Sequence, residues 1–156
     1  MRFEIRRAAP AEAGRLTDLA RAAKAHWEYS PAWLAAWDDE LVITPDYVAV
    51  HRVFVAESDG GLIGVCVLED RGDHWALEHV WVDPANHGRG VGATIVRYAL
   101  GAARACRAAA VRVVSDPNAA GFYERLGARL VGAMPAPMAG APSRELPVYQ
   151  FDLDTS

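Results

Sequence analysis

The feature that most constrains the fold is a glycine-rich turn that joins a predicted strand directly to a predicted helix. Residues 74–82 are predicted to form the strand, and apolar positions at helical spacing predict a helix over residues 89–107. Glycines at 88, 90 and 92 lie between them. A helix N-terminus presents unpaired N–H groups and a partial positive charge, and glycine lets an anion approach the backbone closely. The segment therefore predicts a phosphate site, unless the glycines only shape a tight turn.

Hydrophobic periodicity and turn residues predict the elements around this unit. Strands are expected at 3–8, 53–57, 62–68, 111–114, 129–133 and 147–153, and helices after Pro10, after the Ser30 cap, at Thr44-Pro45 and over 119–126. A proline-rich loop, 134–147, is expected to be mobile. The order strand, two helices, three strands, helix, strand, helix, two strands predicts a mixed central sheet flanked by helices. This α/β (α+β) fold would form a single domain over residues 1–156.

One competing interpretation of the glycine turn is a dinucleotide site. Gly88, Gly90 and Ala93 satisfy G-x-G-x-x-G/A, and Asp116 follows at a suitable distance. However, residues 83–87 separate the glycines from their strand, and hairpin turns join the earlier strands. Both features depart from a dinucleotide-binding βαβ unit.

Two segments resemble the signatures of the GNAT (GCN5-related) N-acetyltransferase superfamily. Residues 87–92, preceded by Val82-Asp83-Pro84, resemble Q/R-x-x-G-x-G/A, and residues 118–128 resemble N-x-x-A-x-x-F-Y-x-x-L-G-F. The resemblance implies a GNAT-like fold and acetyl-CoA as the acyl donor. His87 replaces the usual Gln or Arg, which affects one side-chain contact but not the backbone cradle. The implied donor-binding residues are Val80, Trp81, Val82, His87, Gly88, Arg89, Gly90, Val91, Gly92, Asn118 and Tyr123.

Transfer of an acetyl group to an amine needs a base for the amine and a proton for the leaving thiolate. Glu78, in the strand that enters the glycine turn, is the candidate base, acting directly or through water. The resemblance implies Tyr123 as the candidate acid, since GNAT enzymes often place a tyrosine there beside the coenzyme sulfur, and a phenol is protonated at neutral pH. The alternatives are a solvent-facing Glu78 and a packed Tyr123. The sequence also leaves open a non-catalytic CoA- or dinucleotide-binding module of the same fold.

Aromatic and acidic residues in the second helical region are candidates for binding the amine acceptor. Aromatic faces beside carboxylates suit an ammonium group. The alternative is that the aromatic residues belong to the hydrophobic core and the acidic residues form a solvent-exposed face. The candidates are Trp27, Tyr29, Trp33, Trp37 and Asp38, the last followed by Asp39 and Glu40.

Charge and composition exclude several other classes of partner. The net charge of -4 argues against nucleic acid. The five histidines show no metal-binding spacing, so no metal is expected. Cys66 and Cys106 are predicted to be reduced core residues. With no apolar run of signal-peptide or membrane type, the expected location is cytoplasmic. The acceptor, a small molecule or a protein, is not identified, and a homodimer is left open.

Overall fold

The computed structural model describes residues 2–153, which fold into a sheet of seven strands with five α-helices packed against it. The strands are β1 Glu4–Arg7, β2 Arg52–Ser58, β3 Gly61–Asp70, β4 Trp75–Val82, β5 Ala110–Val114, β6 Arg129–Pro135 and β7 Glu145–Asp152. The helices are α1 Ala13–Ala25, α2 Pro31–Trp37, α3 Pro45–Val50, α4 Val91–Ala105 and α5 Ala120–Arg125. Within 2–153, no helix has the length and apolar character needed to cross a membrane.

The strands lie in the order β1-β2-β3-β4-β5-β7-β6. Neighbours are antiparallel except β4 and β5, which are parallel because α4 crosses over between them. The predicted mixed sheet with flanking helices is therefore confirmed.

Local sequence signals explain where several helices begin. Ser30 accepts a hydrogen bond from Trp33 N at 3.2 Å, and Thr44 accepts one from Tyr47 N at 3.1 Å, with proline at the first position of each helix. The segment after Pro10 starts as a 3₁₀ turn before α1, and α4 starts at residue 91 instead of 89. Predicted helix starts were thus correct to within a few residues.

The connection between the last two strands differs from the expected mobile loop over 134–147. Both strands are longer than predicted, so only residues 136–144 connect β6 to β7. A bridge between Met138 and Ala141 closes this connection. Extension of the β6–β7 hydrogen-bond ladder as far as Pro135 and Glu145 accounts for the difference.

Alternating side chains of the central strands build a core on each face of the sheet. Phe54 and Cys66 pack toward Ile95 of α4, whereas Val55 and Val65 pack toward Leu16 of α1. The prediction of a core position was correct for Cys66, which is buried. It was wrong for Cys106, which is exposed where α4 ends.

A break in strand pairing opens the sheet beside β4. Pairing between β4 and β5 extends only over residues 75–77 and 111–113. On the other edge of β4 the register shifts between the pairs Val67–Glu78 and Val65–Trp81, and His79 adopts a left-handed φ of 49°. Such a β-bulge bends a strand and redirects its side chains. Beyond residue 77, the edge of β4 that faces β5 is therefore free to line a cleft.

Candidate active site

A cleft of about 760 Å³ lies where β4 separates from β5. It brings together residues from α1, β4, the glycine loop, α5 and the β6–β7 connection. Among the candidates, it is lined by Trp27, Trp37, Glu78, Val80, Trp81, Val82, His87, Gly88, Gly90, Val91, Gly92, Asn118 and Tyr123. The lining found within 2–153 does not include Tyr29, Trp33, Asp38 or Arg89. In the same range, no group of three His, Cys, Asp or Glu side chains could hold a metal ion.

The glycine loop forms an open cradle of backbone N–H groups. Gly88 and Gly90 have left-handed φ values of 76° and 78°, and a Cβ at either position would meet no atom within 4 Å. The first hydrogen bond of α4 runs from Thr94 N to Gly90 O at 3.0 Å. The N–H groups of residues 91–93 therefore have no acceptor within the helix. This geometry fits a phosphate group.

Gly92 connects the two signature segments by close packing. A Cβ on Gly92 would lie 3.3 Å from the ring of Phe122, which belongs to α5. The absence of a side chain at position 92 thus lets the start of α4 and α5 approach each other at the cleft.

His87 ties the loop to the end of β4. Its Nε2 lies 3.3 Å from Val82 O, and its ring packs against His26 and Trp27 with centroid distances of 4.8 and 6.3 Å. At the position where the family signature has Gln or Arg, His87 therefore contacts backbone and the end of α1. The contact with His26 could not be predicted from either segment alone.

Glu78 is half-buried at the last regular position of β4 before the bulge. Arg71 Nη2 donates to Glu78 Oε1 at 2.5 Å, and Arg71 Nε donates to Glu69 at 3.3 Å. Tyr47 also donates to Glu69, at 2.5 Å. Burial raises the pKa of Glu78 above its usual value, and the charge of Arg71 opposes this only in part. The carboxyl group is thus oriented by an arginine and shifted toward the range of a general base.

His79, which the sequence analysis did not single out, also lines the cleft at the bulge. Its Nδ1 accepts a hydrogen bond from Trp81 Nε1 at 3.2 Å. Burial lowers the pKa of the imidazole, which favours the neutral ring. Because Nδ1 is the acceptor, the proton of the neutral ring is on Nε2. The only sequence signal was its position next to Glu78.

Tyr123 is buried, with 5% of its surface exposed, and its ring packs against Tyr149 and Phe151. The hydrogen bonds found within residues 2–153 include none to its hydroxyl group, and because no fully buried side-chain oxygen in that range lacks a partner, the hydroxyl reaches the surface of the cleft. Burial raises the pKa of the phenol, and the charge of Glu78 adds to the effect. Tyr123 is therefore both a packed aromatic and a protonated donor that faces the cleft.

A buried ion pair that was not predicted joins the two sides of the cleft. Lys24 Nζ lies 2.8 Å from Asp116 Oδ2 and 4.1 Å from the ring centre of Trp37. Tyr29 donates to the same carboxylate at 2.8 Å, and Asn118 Nδ2 donates to Asp116 and to the Tyr29 hydroxyl oxygen, each at 3.0 Å. Asp116 thus caps the turn before α5, since its side chain accepts from the backbone N–H of residue 118.

Proton affinities within this cluster follow from its hydrogen bonds. Burial alone would raise the pKa of Asp116, but the bonds from Lys24, the backbone at Asn118 and Tyr29 outweigh it, so the pKa is lowered. Burial, together with the Asp116 carboxylate, raises the pKa of Tyr29 to about 12. At neutral pH Asp116 is therefore a carboxylate and Tyr29 keeps its proton. The sequence contained a local signal for the turn that carries Asp116, because Asp-Pro-Asn is a typical start of a turn.

The acceptor candidates of α2 are mostly engaged by other parts of the protein. Arg144 lies over the rings of Trp33 and Trp37, at 5.3 Å from each centre, and Trp33 Nε1 donates to Ala139 O at 2.9 Å. Asp38 accepts two hydrogen bonds from Arg21, at 2.9 and 3.1 Å, outside the cleft. Asp38 is thus paired with a side chain of α1.

Comparisons with known proteins agree with this geometry. Residues 49–127 match the sequence profile of the acetyltransferase (GNAT) domain family. No curated protein matches significantly. Among solved structures, PaiA N-acetyltransferase of Thermoplasma acidophilum, in complex with coenzyme A, superposes with a TM-score of 0.79 at 16% identity, covering 98% of this chain and 100% of that one. A GCN5-related N-acetyltransferase of Rhodopseudomonas palustris gives 0.77 at 22% identity, covering 96% and 95%. YncA of Salmonella typhimurium, solved with its cofactor acetyl-CoA, gives 0.74 at 21%, covering 99% and 95%. These three share the fold.

Proposed function

The chain belongs to the GNAT acetyltransferase family, and we propose that it transfers an acetyl group from acetyl-CoA to a primary amine of a small molecule or a protein. The observation that carries this proposal is that Glu78 and Tyr123 line one cleft with the glycine loop. Strand β4 supplies the carboxylate, and α5, which follows β5, supplies the phenol. A base and an acid therefore face the space next to a phosphate cradle, as acyl transfer requires.

The residues of the cleft fit acetyl-CoA as the donor. The N–H groups at residues 91–93 would hold the pyrophosphate, since they lack helical acceptors. The backbone of residues 78–82 has no strand partner on the β5 side, so it can pair with the amides of pantetheine like an added strand. Asn118 lines the same cleft. The presence of coenzyme A and acetyl-CoA in the PaiA and YncA structures supports this donor.

Acetyl-CoA supplies a thioester whose carbonyl carbon accepts the amine. Glu78, directly or through water, takes a proton from the amine, and the neutral nitrogen forms the new N–C bond. The C–S bond breaks as the nitrogen loses its second proton to water, and Tyr123 donates its proton to the sulfur. The products are an acetamide and the free thiol. Water removes the proton from Glu78 and returns one to Tyr123, so one proton is released to solvent for each ammonium group that is acetylated.

The alternative is a module of this fold that binds CoA or a dinucleotide without turnover. In a dinucleotide site, Asp116 would accept a ribose hydroxyl. Here the Asp116 carboxylate is bound by Lys24, Tyr29 and Asn118 instead. This arrangement disfavours a dinucleotide as the ligand. A measurement of turnover distinguishes a non-catalytic CoA-binding module from an enzyme.

The test combines ligand binding with turnover. Thermal unfolding is recorded with acetyl-CoA, CoA, NAD and NADP, because a ligand that binds only the folded state raises the apparent stability. Release of free thiol from acetyl-CoA is then measured with a panel of amines. Stabilisation by acetyl-CoA with amine-dependent thiol release is the expected result. Stabilisation without turnover on any amine would favour the non-catalytic module, and stabilisation by NAD alone would reject both.

A further inference from the structure

Two cationic side chains, Lys24 and Arg144, line the cleft beside Trp37, and the carboxylates that line it are Glu40, Glu78 and Asp116. Asp116 is bound directly by Lys24 at 2.8 Å and reaches Arg144 only through the hydroxyl of Tyr29. Lys24 therefore has a direct carboxylate partner, whereas Arg144 forms no ion pair with any residue from 2 to 153.

Arg144 is held in place without a carboxylate partner. Its Nη1 donates to Ala136 O at 3.3 Å, and its guanidinium lies over the rings of Trp33 and Trp37. The bond from Trp33 to Ala139 fixes the connection that carries it. Throughout residues 2–153, no Asp or Glu oxygen lies within 4.0 Å of its nitrogens. A half-buried guanidinium that is already ordered loses little entropy when it binds an anion.

The same geometry disfavours an acceptor that carries only positive charge. Lys24 and Arg144 both lie over the ring of Trp37, so an ammonium group would compete with two cations for it. It would also meet the like charge of Arg144, which has no carboxylate in direct contact within residues 2–153, and this costs free energy in a cleft partly shielded from water. An acceptor with a second charge of opposite sign avoids this cost.

We propose that the natural acceptor is an amine that also carries a carboxylate, such as an amino acid, and that Arg144 binds this carboxylate. The inference rests on the proposed function, because the amine end must reach Glu78. A guanidinium can bind a carboxylate through two parallel hydrogen bonds, which fixes orientation as well as affinity. Arg144 lies beyond residues 49–127, the part matched to the family.

The test compares acceptors that differ only by the carboxylate. Phenylalanine is paired with phenethylamine, and lysine with cadaverine, and kcat/KM is measured for each in wild type and in Arg144→Ala. We expect the ratio of amino acid to decarboxylated amine to fall by ~10- to 100-fold in the variant, the size of a lost charge-assisted hydrogen bond, mainly through KM. Arg144→Lys should keep part of the preference. Because each ratio is compared between wild type and variant, differences in the intrinsic reactivity of the two amines cancel.

Arg129→Ala is the matched control, since Arg129 lies on β6 in an exposed pair with Asp152, and its ratio should equal that of wild type. An unchanged ratio in Arg144→Ala would overturn the inference while leaving the acetyltransferase proposal intact.

A second experiment tests the carboxylate site without turnover. Binding of phenylalanine and lysine to the CoA complex is measured by calorimetry. If wild type binds these amino acids without acetylating them, and Arg144→Ala does not bind them, the carboxylate site stands and the proposed transfer is rejected. Absence of any amino acid binding or turnover would reject the carboxylate site.

Discussion

Lys24 of α1 donates a 2.8 Å hydrogen bond to Asp116, which is 92 residues away and caps the turn before α5. Both side chains are nearly buried, with exposed fractions of 12% and 13%. Because α1 packs on the sheet on the acceptor side and α5 faces the glycine loop, the pair holds the two walls of the cleft at a defined separation.

Replacing Asp116 by Asn leaves the Lys24 ammonium buried without its counter-ion. We expect the free energy of unfolding at pH 7 to fall by about 3 kcal/mol, as when one partner of a buried ion pair is removed. Denaturant titration by circular dichroism measures this. The matched control is Asp38→Asn, whose exposed pair with Arg21 should be worth less than ~1 kcal/mol. Equal losses in both variants would mean that the buried pair does not stabilise the fold.

The same variant should show a reduced dependence of stability on acid. The pKa of Asp116 is lowered in the folded state, so its contribution is complete above the unfolded-state value and is lost as pH falls through the folded-state value. The difference between wild type and Asp116→Asn should therefore shrink below about pH 4. Unfolding titrations at pH 7 and pH 3 test this, and a constant difference would contradict it.

Tyr123→Phe removes only the hydroxyl group that we assign as the proton donor. Turnover should fall by ~10²-fold or more, with little change in acetyl-CoA affinity. Since no hydrogen bond to this hydroxyl is found within 2–153, the free energy of unfolding should be nearly unchanged. Tyr98→Phe, an exposed tyrosine of α4, is the control for turnover. Turnover within a factor of two of wild type would make Tyr123 a structural residue.

Glu78→Gln keeps the size of the side chain and removes the base. At neutral pH the rate should fall by ~10²-fold or more, and it should recover partly as rising pH deprotonates the amine. In wild type the raised pKa of Glu78 means that the base form is lost at a higher pH than for an ordinary glutamate. The pH–rate profiles of both proteins on the best amine measure this, with Glu4→Gln, at an exposed position of β1, as the control. Equal rates at pH 7 would exclude Glu78 as the base.

Gly90→Val should abolish acetyl-CoA binding while leaving the fold intact. Position 90 has a φ of 78°, which strains a β-branched residue by an estimated ~1–2 kcal/mol and turns the N–H groups at the helix start away from the phosphate. Gly101→Ala, in the interior of α4 with open space around it, should keep the affinity. Calorimetry gives both affinities, and circular dichroism checks the fold. If a folded Gly90→Val protein binds acetyl-CoA with wild-type affinity, this loop is not the phosphate-binding site.

Local sequence signals were enough to predict the parts of the site that are formed by backbone atoms. The glycine loop and α4 could be predicted because left-handed turns and helix starts are encoded by neighbouring residues. The bulge at His79 could not, since a left-handed histidine inside an apolar run is imposed by pairing with β3. Asp38 was predicted to face the acceptor, but its partner Arg21 lies on another helix outside the cleft.

The amino-acid sequence by itself determined the order of the elements, the single mixed domain and the loop that would bind a phosphate. The resemblance of two segments to the family signatures added the prediction that Glu78 and Tyr123 act beside that loop. Cytoplasmic location and homodimer formation stay predictions. Only the tertiary structure decided that the aromatic faces near Trp37 hold Lys24 and Arg144, and that Asp116 compensates the first and not the second. The physical reason is that charge balance in a cleft depends on distances between residues up to about a hundred positions apart.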